Sequence, residues 1–216
     1  NASEMIIEAG KVLKYENSAK NKGTEIKVKN LFYNTPARKK FLKSPSQETR
    51  NITRIIKRFV LSYPKISFFY QTDNKVIYDL HSVSLNQRID QLFGRSYTDN
   101  IIEINDTNED VKIRGYIGNL NLLQRRRGSQ YLFLNGRYIN NPSISNSIRN
   151  CYDSIILRGE FPFYVLFLEL PPSLFDVNVH PTKIEVRFSE KWSILNFISG
   201  SIKKELKKIF KVLPDI

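Results

Sequence analysis

The sequence predicts an α+β protein, on three observations. Several stretches alternate apolar and polar residues at the strand period, others repeat apolar residues at the helical period, and turn signals join neighbouring strands directly into hairpins. The bulk numbers allow such a fold, since 216 residues with 41% hydrophobic and 12% aromatic content are enough to bury a core.

Taken in order, MIIEAGKVLKYE (Met5 to Glu16) and then Thr24 to Val28 after Gly23 alternate as strands, joined by a polar loop containing Asn17 to Lys22. This opening reads as the middle of a sheet. The chain begins at Asn1 rather than Met with strand residues almost at once, so it reads as a piece of a longer protein. A helix is expected over about Gln47 to Leu61, with Ser46 as its cap and Pro64 as its stop. Ile52, Ile55, Ile56, Phe59, Val60 and Tyr63 would form its buried face, and Arg50, Arg54, Lys57 and Arg58 its charged solvent side. KISFFYQ and KVIYDL flank Thr72, Asp73 and Asn74 and predict a hairpin covering that helix.

A second pattern starts near His81. Ser84 caps a helix with Leu85, Ile89, Leu92 and Phe93 on one face and Gly94 as its stop. The domain boundary is placed here, giving domains 1–80 and 81–216. Strands follow near Asn100 to Ile104 and Val111 to Ile117, then a loop through Arg125 to Arg127, then a hairpin at the strong turn signal Asn135-Gly136. Pro142 opens a helix whose face is Ile144, Ile148, Cys151, Tyr152 and Ile155, ended by Gly159. Phe163 to Leu170 is apolar enough for a central strand. Ile184, Val186 and Phe188 alternate in another, and a last helix covers Ser189 to Lys211.

Thirty-four Lys and Arg oppose 21 Asp and Glu, and the net charge of +13 points to a polyanionic partner such as nucleic acid. One cysteine, Cys151, and two histidines, His81 and His180, exclude an internal disulfide and a Cys/His zinc site, so no metal site is expected and a reducing, intracellular setting fits. No apolar run approaches the roughly 18 residues of a membrane span, so no membrane is expected.

Two segments carry chemistry. LFYNTPARKKFL (Leu31 to Leu42) runs from a strand through an Asn34-Thr35-Pro36 turn into basic residues, and DVNVHPTK (Asp176 to Lys183) leaves a strand, turns at Pro181 and presents a lysine. A compact ammonium on a flexible stem suits a terminal phosphate. His180 and Asp176 do not make a Ser-His-Asp site, because nothing marks a nucleophile in a strained turn. Together with YLFLNGRY (Tyr131 to Tyr138), these segments resemble the MutL mismatch-repair ATPases, and the resemblance runs through nearly the whole chain.

That resemblance implies the C-terminal part of a GHKL ATPase α/β sandwich followed by a second α+β domain of the ribosomal-protein-like type. It implies that Lys183 reaches the γ-phosphate of ATP as a catalytic and nucleotide-binding group, and that Thr24, the threonine after glycine, lies in the nucleotide pocket. Loop arginines are the better DNA contacts because they reach a backbone bidentately, so Arg125, Arg126, Arg127 and Arg137 are the nominated DNA-binding residues. The Glu and Asn pair, the D-x-G-x-G turn and the Gly-rich lid of that superfamily are not found in these 216 residues. ATP and Mg are therefore expected with the full-length protein and neither is expected to bind tightly here. The implied partners are DNA, a MutS-type mismatch-recognition protein, a downstream helicase or endonuclease, and a second copy in an ATP-dependent homodimer. The implied location is the bacterial cytoplasm, or the nucleus in a eukaryote. The alternative reading is a nucleic-acid-binding module with no nucleotide chemistry.

Overall fold

The computed structural model describes residues 2–152, 155–177 and 184–210. They divide into two compact units, Asn1–Ile52 and Thr53–Ile216.

In the first unit, β1 (Ala2–Glu8) and β2 (Lys11–Ser18) pair antiparallel across a turn at Ala9 and Gly10, both at positive φ. The expected strand at Thr24 to Val28 does not form. Alternation specifies which way side chains would point but supplies no neighbour to accept the ladder hydrogen bonds, and Ile26 and Val28 stand exposed. The Asn34-Thr35-Pro36 turn leads, as read, into a basic helical turn, α1 (Pro36–Lys40).

Helix α2 (Pro45–Ser62) starts two residues earlier than expected, at a proline whose missing N–H costs nothing in the first turn. Its buried face also differs from the expected one. Val60 and Leu61 are fully buried, whereas Ile55, Phe59 and Tyr63 are 48, 54 and 44% exposed. Lys57 and Arg58, expected in solvent, lie over aromatic rings instead. The Lys57 ammonium is 3.9 Å from the centre of Phe93 and the Arg58 guanidinium 3.8 Å from that of Tyr138. Their stems cover apolar surface while their charges meet ring faces, and burial pushes the Lys57 amine below its ordinary value.

The hairpin β3 (Phe68–Thr72) and β4 (Lys75–Leu80) forms where read, with Asp73 and Asn74 both at positive φ in its turn. Thr53 of α2 and Tyr70 of β3 share a hydrogen bond of 3.1 Å, so the hairpin does meet that helix. Helix α3 (Leu85–Phe93) has the full capping box, with the Ser84 hydroxyl accepting from the Gln87 N–H and the Gln87 side chain accepting from the Ser84 N–H. A single turn, α4 (Arg95–Thr98), follows Gly94.

The second unit is built on a five-stranded mixed sheet of β5 (Ile101–Thr107), β6 (Lys112–Gly118), β7 (Gln130–Leu134), β8 (Arg137–Ile139) and β9 (Tyr164–Glu169), in the order β5-β6-β9-β7-β8. β9 is central as expected, antiparallel to β6 and parallel to β7. Alternate residues of β9, with Phe163 just before it, feed two cores. Tyr164, Leu166 and Leu168 join Ile113, Leu132 and Ile148 on the face covered by α5 (Pro142–Asn150) and α6 (Lys191–Phe210). Phe163, Val165 and Phe167 join Leu61, Ile89 and Phe133 on the other. Gly115 of β6 is required where it stands, since its φ is +133° and a Cβ would lie 2.1 Å from the Val165 carbonyl oxygen.

Two elements are shorter than expected. α5 ends at Asn150, because Cys151 and Tyr152 donate three residues back, to Ile148 and Arg149, and the tightened turn swings the buried Tyr152 hydroxyl onto the Gly118 carbonyl at 2.9 Å. Only Arg187 and Phe188 of the last expected strand form β11, paired with β10 (Phe175–Asp176). The Ile184 carbonyl accepts from the Asn140 N–H at 2.9 Å and the Val186 carbonyl from the Asn141 amide at 3.2 Å, so the loop before α5 takes the place of a partner strand.

One buried cation ties α2, the hairpin and α3 together. Arg88 is fully buried, and its Nη2 donates to the carbonyls of Pro64, Ile66 and His81, each at 2.9 Å. Arg88→Met removes the shared donor of three carbonyls. It is expected to lower the unfolding free energy by about 3 kcal/mol, read as a shifted urea midpoint at unchanged slope. An unshifted midpoint would show that the guanidinium holds nothing.

Candidate nucleic-acid interface

Three of the four nominated arginines sit together. The chain leaves β6 at Gly118, makes a short 3-10 turn at Leu120–Leu122, and returns to β7 at Gln130. Arg125, Arg126 and Arg127 lie exposed in the middle of this connection. The connection is pinned on both sides of them. Before the arginines, Gln124 and Phe161 exchange two backbone hydrogen bonds of 2.9 and 2.8 Å, and the Gln124 side-chain amide donates to the Tyr97 hydroxyl at 2.7 Å. After them, the Ser129 carbonyl accepts from the Tyr164 N–H at 3.2 Å.

An amide cluster holds the base of the loop. Asn100 Oδ1 accepts from the Asn119 amide at 3.0 Å and from the Asn121 amide at 2.7 Å, while its own amide donates to the Ser96 carbonyl at 2.9 Å. The arginines therefore project from a fixed frame, which lowers the ordering cost of meeting a phosphate backbone.

Aromatic rings organise the cations further. The Arg127 guanidinium lies 5.0 Å from the centre of the Phe161 ring, and Arg149 of α5 lies 5.9 Å from the same ring while its Nε donates to the Glu160 carbonyl at 3.2 Å. The Tyr164 hydroxyl is pushed up to about 12, chiefly by burial and against the opposing pull of Ser145 and the Arg127 charge.

Arg137 is placed elsewhere. It is exposed at the start of β8, just after the Asn135-Gly136 turn, at the end of β7 opposite the arginine loop. Five residues of β7 at about 3.3 Å each separate the two places by on the order of 15 Å. Thr24 belongs to the first unit, exposed in irregular backbone beside Glu25, whose carboxyl is held down to about 2 by Lys20 and Lys27. Lys183 lies outside the described residues. The segment that contains it is framed by the Asp176–Arg187 pairing and by the Asn140–Ile184 hydrogen bond.

With this geometry in place, the chain was compared with known proteins. The family model of the C-terminal domain of DNA mismatch repair proteins matches residues 89–207, more than half the chain. The chain belongs to the MutL family of DNA mismatch repair proteins. It is 37% identical to the MutL of Chlorobium phaeovibrioides over 90% of the chain and 32% of that protein. It is 38% identical to the MutL of Clostridium beijerinckii over 94% of the chain and 31% of that protein. The chain thus spans about a third of the length of the curated MutL relatives it matches. Among solved structures it is similar to the Aquifex aeolicus MutL ATPase domain complexed with ADP, with TM-score 0.63, 28% identity, and coverage of 79% of this chain and 62% of that one. It is also similar to the ATPase domain of the mismatch repair endonuclease MutL of the same organism, with TM-score 0.68, 25% identity, and coverage of 94% and 69%. The expected α+β class and the MutL resemblance both hold.

Gln124, Arg149, Phe161 and the Asn100 cluster were not singled out from sequence. Arg149 reads there as one more polar position of an amphipathic helix, and nothing in the string joins it to Phe161 or Arg127. If the Asn100 cluster holds the arginine loop, Asn100→Ala speeds tryptic cleavage at Arg125 to Arg127 in the native protein several-fold, with a loss of about 1 kcal/mol in stability. Equal cleavage rates in the two proteins would contradict it.

Proposed function

We propose that this chain is part of a MutL-type mismatch repair ATPase that couples ATP binding and dimerisation to DNA and partner binding. The observation that carries this reading is the family match over residues 89–207 together with the likeness to MutL ATPase domains. In this reading residues 1–80 are the tail of the ATPase domain and residues 81–216 a second domain that senses the nucleotide.

The donor chemistry suits a nucleotide phosphate. Thr24 offers an exposed hydroxyl, and Lys183 offers an ammonium in a segment whose two ends are anchored. ATP with Mg, bound in the full-length protein, supplies the γ-phosphate whose charge Lys183 offsets. Nucleotide then works as a switch only through a difference in affinity between two states of the protein. A lysine that reaches the phosphate in the closed state alone provides part of that difference. Arg125, Arg126, Arg127 and Arg137 contact the DNA backbone in this reading, without reading its sequence. The partners are DNA, a MutS-type mismatch-recognition protein, a downstream helicase or endonuclease, and a second copy of the protein when ATP is bound. The bacterial cytoplasm is the location this implies.

The test is Lys183→Ala in the full-length protein. ATP turnover is expected to fall on the order of a hundredfold while the thermal unfolding profile is retained. Unchanged turnover would remove the role assigned to Lys183.

A further inference from the structure

We propose that Arg127 and Arg149 form one two-cation clamp, organised by the Phe161 ring, that holds neighbouring backbone phosphates of a DNA strand. This rests on the DNA-binding reading of the arginine loop and assigns two residues, Arg149 and Phe161, that the loop itself does not contain.

The clamp is assembled from three separate elements. Arg127 comes from the β6–β7 connection, Arg149 from the last turn of α5, and Phe161 from the residues leading into β9. The Phe161 backbone is fixed by its paired hydrogen bonds to Gln124, and its ring meets both guanidiniums, at 5.0 and 5.9 Å. A guanidinium resting on a ring keeps its in-plane N–H groups for other acceptors, and its planar fork matches a phosphate bidentately. Arg149 uses Nε on the Glu160 carbonyl, which fixes its stem and leaves its terminal nitrogens. Arg127 has no hydrogen-bond partner among the described residues.

The charges around the clamp favour an anion. Two like charges brought to one ring repel, and a phosphate between them relieves that repulsion. Among the described residues, the Glu160 carboxylate accepts from the Leu157 N–H at 2.9 Å and forms no ion pair with either arginine. Arg125 and Arg126, beside Arg127 in the chain, and Arg158, in the turn before Phe161, are exposed and add to the positive charge. A pair of cations on one ring with further exposed arginines close by in the chain suits a repeating polyanion better than a single small anion.

The experiment is fluorescence anisotropy of a labelled 20-base-pair duplex with this chain across a series of salt concentrations, comparing wild type with Arg125→Gln, Arg149→Gln, Arg149→Lys, Phe161→Leu and Phe161→Tyr. Arg149→Gln is expected to weaken binding and to reduce the slope of log affinity against log salt by about 0.9, one phosphate contact. Arg149→Lys keeps the charge and loses the stacked fork, so it binds more weakly with the slope retained. Phe161→Leu weakens binding though no charge is removed, and Phe161→Tyr, which keeps the ring, binds as wild type. Thermal melts of each variant accompany the titrations, and the Arg149 pair decides the matter if Phe161→Leu fails to fold. If Arg125→Gln weakens binding while both Arg149 variants bind as wild type, the DNA reading stands and the clamp falls. If wild type shows no salt-dependent binding, the DNA reading falls and the clamp with it.

Discussion

The second unit depends on the central strand β9 being buried on both faces and paired on both edges. Because Tyr164, Leu166 and Leu168 serve one core and Phe163, Val165 and Phe167 the other, a slip of one residue would exchange the two sets and spoil both. Its parallel pairing with β7 and antiparallel pairing with β6 also decide where the connections emerge. Phe161 precedes its first residue and holds Gln124 beside the arginine loop. At its other end, the Asn135 N–H donates to the Leu168 carbonyl at 2.8 Å, and the Asn135 side chain exchanges two hydrogen bonds with Leu170, of 2.9 and 3.0 Å. The turn that presents Arg137 is thereby locked to the strand. The chain then runs through Asp176 into the segment that contains Lys183. The arginine loop is held at the start of this strand and the Arg137 turn at its end.

Cations are handled in a consistent way across this unit. Arg114, Phe167, Phe133 and Tyr138 occupy registered positions on four adjacent strands, with the two phenylalanine rings stacked at 4.8 Å. Arg114 lies 4.5 Å from Phe167 at one end of the row, and Arg58 covers Tyr138 at the other. Arg88 is sealed in, its Nη2 alone shared among three backbone carbonyls and its guanidinium 5.8 Å from the centre of the Phe68 ring. A surplus of positive charge is thus partly taken up in the fold, while Arg125 and Arg126 of the loop after β6, like Arg137 and Arg158, face solvent.

What the sequence made legible follows from locality. The Asp73-Asn74 and Asn135-Gly136 turns, the Ser84 cap and the apolar run of β9 are each encoded within a few neighbouring residues, and each appears where expected. The misreadings need distant partners. Thr24 to Val28 has the strand pattern without a neighbour. The face of α2 was misassigned because Lys57 and Arg58 were counted as polar, although their stems and charges suit the rings of Phe93 and Tyr138. Nothing in the string singles out Arg88, because the carbonyls of Pro64, Ile66 and His81 that surround it lie in other elements. Of the candidate site, the arginine loop was legible as a run of charge. Its convergence with Arg149 on Phe161 was not, because three remote elements supply it.

The most direct test is hydrogen exchange of the full-length protein with a non-hydrolysable ATP analogue and Mg, and separately with a DNA duplex. The account predicts that nucleotide slows exchange in residues 177–186, which follow β9 in the chain. It predicts that DNA slows exchange in residues 124–129 and around Phe161, at the start of that strand. Protection of the arginine loop by nucleotide alone, with DNA protecting only residues 177–186, would contradict it.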